Sequence, residues 1–296
     1  MKTEYNKIEI SFEAAVSLIL MAGVPILVKF TSANPYTIGV FRLTVGACLI
    51  YIVLKPIRYR KQLNFRNIRN LAVIGLVFSI HWLTYFSSIK MATASIGLLG
   101  ASTFGIHLIF LGWIFRKNRP SLFDGFAVMI AFIGTYLVIP EFSLANNITA
   151  GLLLGVISGF CFALLPILHQ RNQHLPDSVR TFGQLFFAWI VFLFFIPVTE
   201  WHFKTADWLS LLYLAVLGTF IAHWLWVRVT TRMTTTTTSV IFYMVIPMTM
   251  ALSYFWLGEE MGTKKIAGAF LIVAGNLISF FGRSRRNKFT SRESQI

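Results

Sequence analysis

Two cations stand where apolar sequence should exclude them. Lys29 and Arg42 each lie inside a long run of hydrophobic residues. An ionised side chain in hydrocarbon is costly, and it persists where it pairs, reaches the interface or serves a substrate. Arginine can grip a carboxylate through two parallel hydrogen bonds, whereas lysine offers a compact charge. Together they read as an electropositive patch for a carboxylate or phosphate. The alternatives are snorkelling of Lys29 to the interface and a structural pair between Arg42 and Glu259. Further along, His81, Thr84, Tyr85 and Ser88 share one helical face, and so do Thr219, His223, Trp226 and Thr230. A polar stripe on an apolar helix avoids lipid and faces the protein interior. His81 and His223 are expected to line two separate access pathways and, with Lys29, are the candidates for gating or proton coupling. The alternative is a neutral histidine fixing helix contacts. Ser102, Thr103 and His107, then Ser239 and Tyr243, add hydroxyl and ring groups. The candidate substrate-binding set is Arg42, His81, Tyr85, Ser102, His107, Trp224 and Tyr243, a mixture suited to a small zwitterion or an aromatic metabolite. Ordinary interhelical hydrogen bonding accounts for several of these equally well. Glu13, near the start of the first apolar run, is read as complementing a positive helix N-terminus.

The elements that must position these residues follow from composition. The chain has 296 residues, of which 56% are hydrophobic and only 12% charged, with 29 Phe, 8 Trp and a net charge of +15. Soluble domains carry about a quarter charged residues, so a soluble globular enzyme is excluded, and so is disorder. The basic residues punctuate apolar runs and form no folded basic face, which argues against a nucleic-acid partner. Cys48 and Cys161 lie in apolar runs and read as packing residues. No zinc-like Cys/His spacing, HExxH, GxSxG or phosphate-binding P-loop occurs, so no metal, cofactor or ATP site is expected.

About 20 apolar residues span a bilayer. Ten segments qualify: roughly 11–31, 36–54, 71–89, 92–114, 122–139, 150–168, 180–198, 207–227, 235–257 and 266–282. With both termini cytoplasmic, the outer loops hold only Lys90, Lys204, Lys264 and Lys265 of the 26 basic residues. Lys29 and Arg42 lie within spans, and the remaining Lys and Arg fall inside, as the positive-inside rule requires. The predicted location is the cell inner membrane.

The chain also repeats itself. Pro25-Ile26-Leu27 recurs as Pro166-Ile167-Leu168 at an offset of 141, shared by Ser17 and Ser158, Pro35 and Pro176, and Phe41 and Phe182. His81-Trp82-Leu83 recurs as His223-Trp224-Leu225 at an offset of 142. Two homologous halves of five spans follow, residues 1–145 and 146–296. Because five is odd, the second half is inverted, an arrangement used by alternating-access carriers. Small residues recur every fourth position at Thr93, Gly97, Ala101 and Gly105, and again at Gly151, Gly155, Gly159 and Ala163. They read as close-packing stripes.

Ten duplicated spans, with Pro247, then Leu257-Gly258-Glu259, then Gly268 and Gly275 in the last span, resemble the drug/metabolite transporter superfamily and its EamA-type carriers. Arg42 early in the second span also fits. The first copy departs from this pattern, with Gly105 or Ile106 in place of the proline and Phe115-Arg116-Lys117 in place of Leu-Gly-Glu. The resemblance implies an all-α integral membrane fold of two inverted five-helix repeats around a central cavity. It also implies a secondary transporter of a small organic metabolite, an exporter that works by alternating access. An uptake or exchange carrier for an amino acid or nucleotide-type metabolite is the alternative within transport. Outside transport, the alternatives are an intramembrane enzyme and a non-transporting scaffold. The partners implied are a small-molecule substrate and the lipid bilayer, with the protein a monomer or homodimer.

Overall fold

The computed structural model describes residues 7–116, 122–137, 146–233, 238 and 241–293. Among these residues every regular element is a helix, and ten helical segments overlap the ten expected spans. They are α1 (Ile8–Phe30), α2 (Pro35–Leu54), α3 (Phe65–Met91), α4 (Ala94–Phe115), α5 (Leu122–Leu137), α6 (Asn147–Arg171), α7 (Asp177–Leu193), α8 (Thr205–Arg232), α9 (Val245–Leu257) and α10 (Thr263–Glu293). Helices α1 to α4, α6 and α8 are each long and apolar enough to cross a bilayer. The described parts of α5, α7 and α9 are shorter, at 16, 17 and 13 residues.

Local chemistry sets the helix ends. Asn34 accepts the Thr37 N–H with Pro35 in the first turn, and Asn64 accepts the Asn67 N–H. Thr93 and Asn146 cap α4 and α6 in the same way. Each cap satisfies one of the free amides that a helix start exposes. Gly258 closes α9 in the left-handed conformation (φ 63°), the usual role of glycine after a helix. The chain then delivers Glu259 to the start of α4, where its Oε1 accepts the Ala94 N–H at 2.7 Å. Its Oε2 lies 3.0 Å from the Lys265 ammonium. The Leu257-Gly258-Glu259 motif is therefore a two-helix cap. Burial works to raise the Glu259 pKa, but Ser95, the Lys265 ammonium and the Ala94 N–H outweigh it and hold the carboxyl below its ordinary value.

The helices pair in a pattern that crosses the middle of the chain. Helix α1 packs on α8, and α6 packs on α3; α4 packs on α6, and α9 on α1; α5 packs along α10. The small-residue stripes face each other. A Cβ at Gly155 would lie 3.0 Å from both the Gly100 Cα and the Gly97 carbonyl oxygen, and one at Gly159 would lie 2.7 Å from the Ala101 oxygen. Helices α4 and α6 thus meet backbone to backbone, the contact that holds helices together where no water drives association. Helix α4 is also broken at Ser102–Thr103, so Ala94–Ala101 and Phe104 onward are separate helical pieces.

Helix α8 has an irregularity that the apolar pattern conceals. Val216–Ile221 forms a π turn. Such a turn closes its hydrogen bonds over one more residue than an α turn and occurs mostly as single bulges at functional sites. Helix α8 is one residue longer than α3, 28 against 27. The slip from an offset of 141 to 142 lies between Phe182 and His223, the interval that contains the π turn.

Two consequences are testable by thermal unfolding of the purified protein. Gly155→Leu should be destabilised by about 1–3 kcal/mol or more, the range for overpacked cores. Gly112→Leu, whose Cβ meets nothing within 4 Å, should be close to neutral, and equal melting temperatures would refute the backbone contact. Glu259→Gln should cost about 1–2 kcal/mol at neutral pH, near the lower range for a hydrogen bond to a charged group. Because the folded carboxyl titrates below its unfolded value, the wild-type advantage exists above the ordinary carboxylate range. It should vanish as pH falls through the folded value.

Candidate functional site

Arg42 projects from α2 into the centre of the bundle and is 1% exposed. Its guanidinium carbon sits 4.1 Å from the centre of the Trp82 ring and 5.1 Å from that of Phe86, both on α3. Its Nε donates to the Thr219 hydroxyl at 2.9 Å, and its Nη2 donates to the Gly218 carbonyl at 3.1 Å. Both acceptors belong to the π turn. The Thr219 hydroxyl in turn donates to the Leu214 carbonyl at 2.7 Å, which leaves its lone pairs for the arginine. The remaining nitrogen, Nη1, is buried and has no hydrogen-bond partner. The alternative pair with Glu259 does not form, because Glu259 is committed to the start of α4 while Arg42 is drawn to the π turn.

A cavity of about 50 Å³ adjoins this cation, room for one or two waters. Arg42, His81, Trp82, Tyr85, Phe162, His223 and Phe242 contribute to its wall. Four of the expected residues, Arg42, His81, Tyr85 and His223, therefore meet at one place. Both histidines line this one cavity. Phe78 lies between them, 6.0 Å from the His81 ring and 4.9 Å from the His223 ring. Helices α3 and α8 present their related residues to the same central space. His81 Nδ1 is engaged by the Ser158 hydroxyl on α6 at 2.7 Å. Ser17, the offset partner of Ser158, bonds the Ala222 carbonyl beside His223 at 2.9 Å.

Other expected residues fall outside the cavity wall. Ser102 bonds back to the Leu98 carbonyl, and His107 faces Thr103 and Phe160. Trp224 is partly exposed, with the Arg228 guanidinium 5.4 Å from its ring centre. Tyr243 lines a separate apolar cleft between α9 and α10 with Met250 and Phe270. Ser239 lies outside the described residues. Of the α3 stripe, Ser88 is spent on the Gly151 carbonyl and Thr84 on its own helix. The Ser102, Ser88 and Thr84 hydroxyls, which looked available, are each consumed by a nearby carbonyl.

Both ends of the bundle are tied. At the end that carries the N-terminus, Glu13 pairs with Arg228 at 2.5 Å and with Arg232 at 3.5 Å. Arg232 also meets Asp177 at 2.7 Å, and Asp177 pairs with the buried Arg180. This network joins α1, α7 and α8. Glu13 is therefore an interhelical ion-pair partner as well as a first-span acid. At the opposite end, Asp207 in the first turn of α8 accepts from the Thr31 hydroxyl, the Ser32 N–H and the Ser32 hydroxyl at 2.7–3.0 Å. Lys29 does not reach the cavity; its ammonium donates to the Lys90 and Ala92 carbonyls at 3.2 and 2.6 Å, and Lys90 donates to the Thr31 carbonyl. Gln170, at the offset of 141 from Lys29, makes a comparable bond to the Thr230 carbonyl at 2.8 Å. The sequence signal for these ties was present in the lone acids Glu13, Asp177 and Asp207, but their partners are up to 219 residues away.

The geometry agrees with comparisons to known proteins. The model of the EamA-like transporter family matches twice, over residues 11–139 and 149–281. An uncharacterized transporter of Archaeoglobus fulgidus is 21% identical over 275 residues, covering 88% of this chain and 93% of that protein. The uncharacterized transporters YdfC and YyaM of Bacillus subtilis are 22% and 24% identical, covering 97% and 90% of this chain and 95% and 92% of their own lengths. A solved crystal structure superposes with a TM-score of 0.69 at 14% identity, covering 95% of this chain and 99% of its own, a likeness of fold. The chain is a multi-pass, all-helical membrane transporter and belongs to the EamA-like transporter family.

Proposed function

We propose that this transporter is a secondary carrier that moves a small organic metabolite bearing a carboxylate, amino acids included, across the inner membrane by alternating access. The observation that carries this reading is the buried Arg42. It has two hydrogen bonds to neutral acceptors, an unpartnered Nη1 and no carboxylate on the cavity wall among the described residues. A buried cation costs several kcal/mol in lost hydration. Two hydrogen bonds and a cation–π contact of about 2 kcal/mol offset much of that, and an anionic ligand supplies the missing counter-charge. No cofactor is invoked.

The halves 1–145 and 146–296 act as inverted repeats in this proposal. The double family match and the crossed pairings of α1 with α8 and α6 with α3 support it. The tied ends are then the two gates, each opened in turn by a relative tilt of the halves. Export is the proposed direction, with both termini cytoplasmic. A strongly basic cytoplasmic face would raise the local concentration of an anionic substrate there.

Counterflow in proteoliposomes tests the reading. Labelled aliphatic and aromatic carboxylates and amino acids should enter vesicles preloaded with the same compound. Arg42→Ala should reduce this at least about tenfold, as expected for loss of a charged hydrogen bond. Undiminished flux in a folded Arg42→Ala protein would sink the carboxylate assignment. Right-side-out against inverted vesicles gives the direction, and labelling of a cysteine placed at Arg60 with an impermeant reagent gives the orientation.

A further inference from the structure

Resting on the carboxylate reading above, we infer that the π turn of α8 narrows the substrate class to an organic monocarboxylate whose remaining body is apolar and uncharged. A guanidinium has five N–H donors arranged in a planar fork. Two faces of that fork accept a carboxylate through paired bonds: the side, formed by Nε and Nη2, and the end, formed by Nη1 and the second hydrogen of Nη2. Gly218 and Thr219 occupy the side face. The end face keeps the unpartnered Nη1. One carboxylate can dock there, edge-on, once the bundle opens beyond its present room for one or two waters, while the π turn keeps the guanidinium from rotating.

The rest of the wall decides what the carboxylate is attached to. Arg42 is the only residue with a fixed charge on the cavity wall among the described residues. A dianion such as a phosphate ester would leave one charge unmatched in an apolar space. A zwitterion would need an acid for its ammonium, and none lines the cavity among the described residues. The aromatic faces of Trp82 and Phe86 that could hold an ammonium are already beneath Arg42. Phe162, Phe242 and Tyr85 line the same wall with apolar surface that suits an uncharged body.

The extra residue in α8 makes the side-face acceptors available. A regular α turn would place the Gly218 carbonyl and the Thr219 hydroxyl differently against Arg42. Removing one residue from the π turn, as in deletion of Leu217, should restore a continuous α helix while Thr205–Ala215 and Ala222–Arg232 keep their faces. The site is also tight: a Cβ at Gly218 would lie 3.0 Å from Val24 and 3.7 Å from Arg42 Nη2.

The experiment compares probes that share one phenyl body: 3-phenylpropionate, L-phenylalanine, 2-phenylethylamine and phenyl phosphate. Each is titrated against the purified full chain by thermal shift, with counterflow as the second readout. The expected result is binding of 3-phenylpropionate, at least tenfold weaker binding of phenylalanine and phenyl phosphate, and none of the amine. Arg42→Lys, Thr219→Val and the Leu217 deletion should each weaken 3-phenylpropionate tenfold or more. Thr219→Ser should retain binding, which separates loss of the acceptor from loss of the fold. If phenylalanine or phenyl phosphate binds as tightly as 3-phenylpropionate and all depend on Arg42, the narrower class is overturned and the carboxylate or anion site stands. If the amine binds and 3-phenylpropionate does not, or none binds, both readings fall. If the Leu217 deletion or Thr219→Val binds 3-phenylpropionate as the wild type does, the role of the π turn is overturned.

Discussion

A guanidinium buried among aromatic rings must be held, and how it is held constrains much of this structure. Arg42 comes from α2, its aromatic floor from α3 and its hydrogen-bond acceptors from α8. The three helices cannot slide past one another without stranding a charge in a medium that will not solvate it. The π turn is the local price of that arrangement. In the middle of a long helix it presents one carbonyl and one hydroxyl to Arg42. The two histidines, Phe78 and Trp82 then fill the space that remains around the cation.

The small central cavity and the tied ends belong to the same account. The end with the N-terminus is held by ion pairs through Glu13, Asp177, Arg228 and Arg232. The other end is held by Asp207 and by two lysines that bond carbonyls. These are exchangeable contacts at the rims, whereas the stripes Gly97–Gly100 and Gly151–Gly159 make rigid backbone contacts in between. A fold that is rigid along helix pairs and reversible at its ends suits rocking of one half against the other, the motion the proposed mechanism requires.

Much of the fold was legible because the bilayer imposes simple rules. Length, hydropathy and the placement of lysine and arginine locate spans without reference to their neighbours. The stripe at Gly151, Gly155 and Gly159 was readable for the same reason: helical spacing alone puts those residues on one face. The site was legible only in part. Arg42, His81, Tyr85 and His223 stood out as polar groups in apolar helices, and they do meet. Ser102, His107, Trp224 and Tyr243 stood out equally, yet Ser102 and His107 are used by carbonyls and hydroxyls within their own helix. Helical periodicity gives a residue's face, but it does not say which neighbouring carbonyl lies within 3 Å.

The sequence by itself determined the membrane class, the ten spans, the internal offset and the presence of an interior arginine, because each depends on local composition or on simple self-comparison. Tertiary structure alone decided that Arg42 rests on Trp82 and the π turn and not on Glu259. It also decided that His81 and His223 share one cavity and that Glu13 joins Arg228 and Arg232. Those outcomes depend on where helices distant in the chain cross, and on a π turn whose carbonyl and hydroxyl meet Arg42, which apolar periodicity does not record.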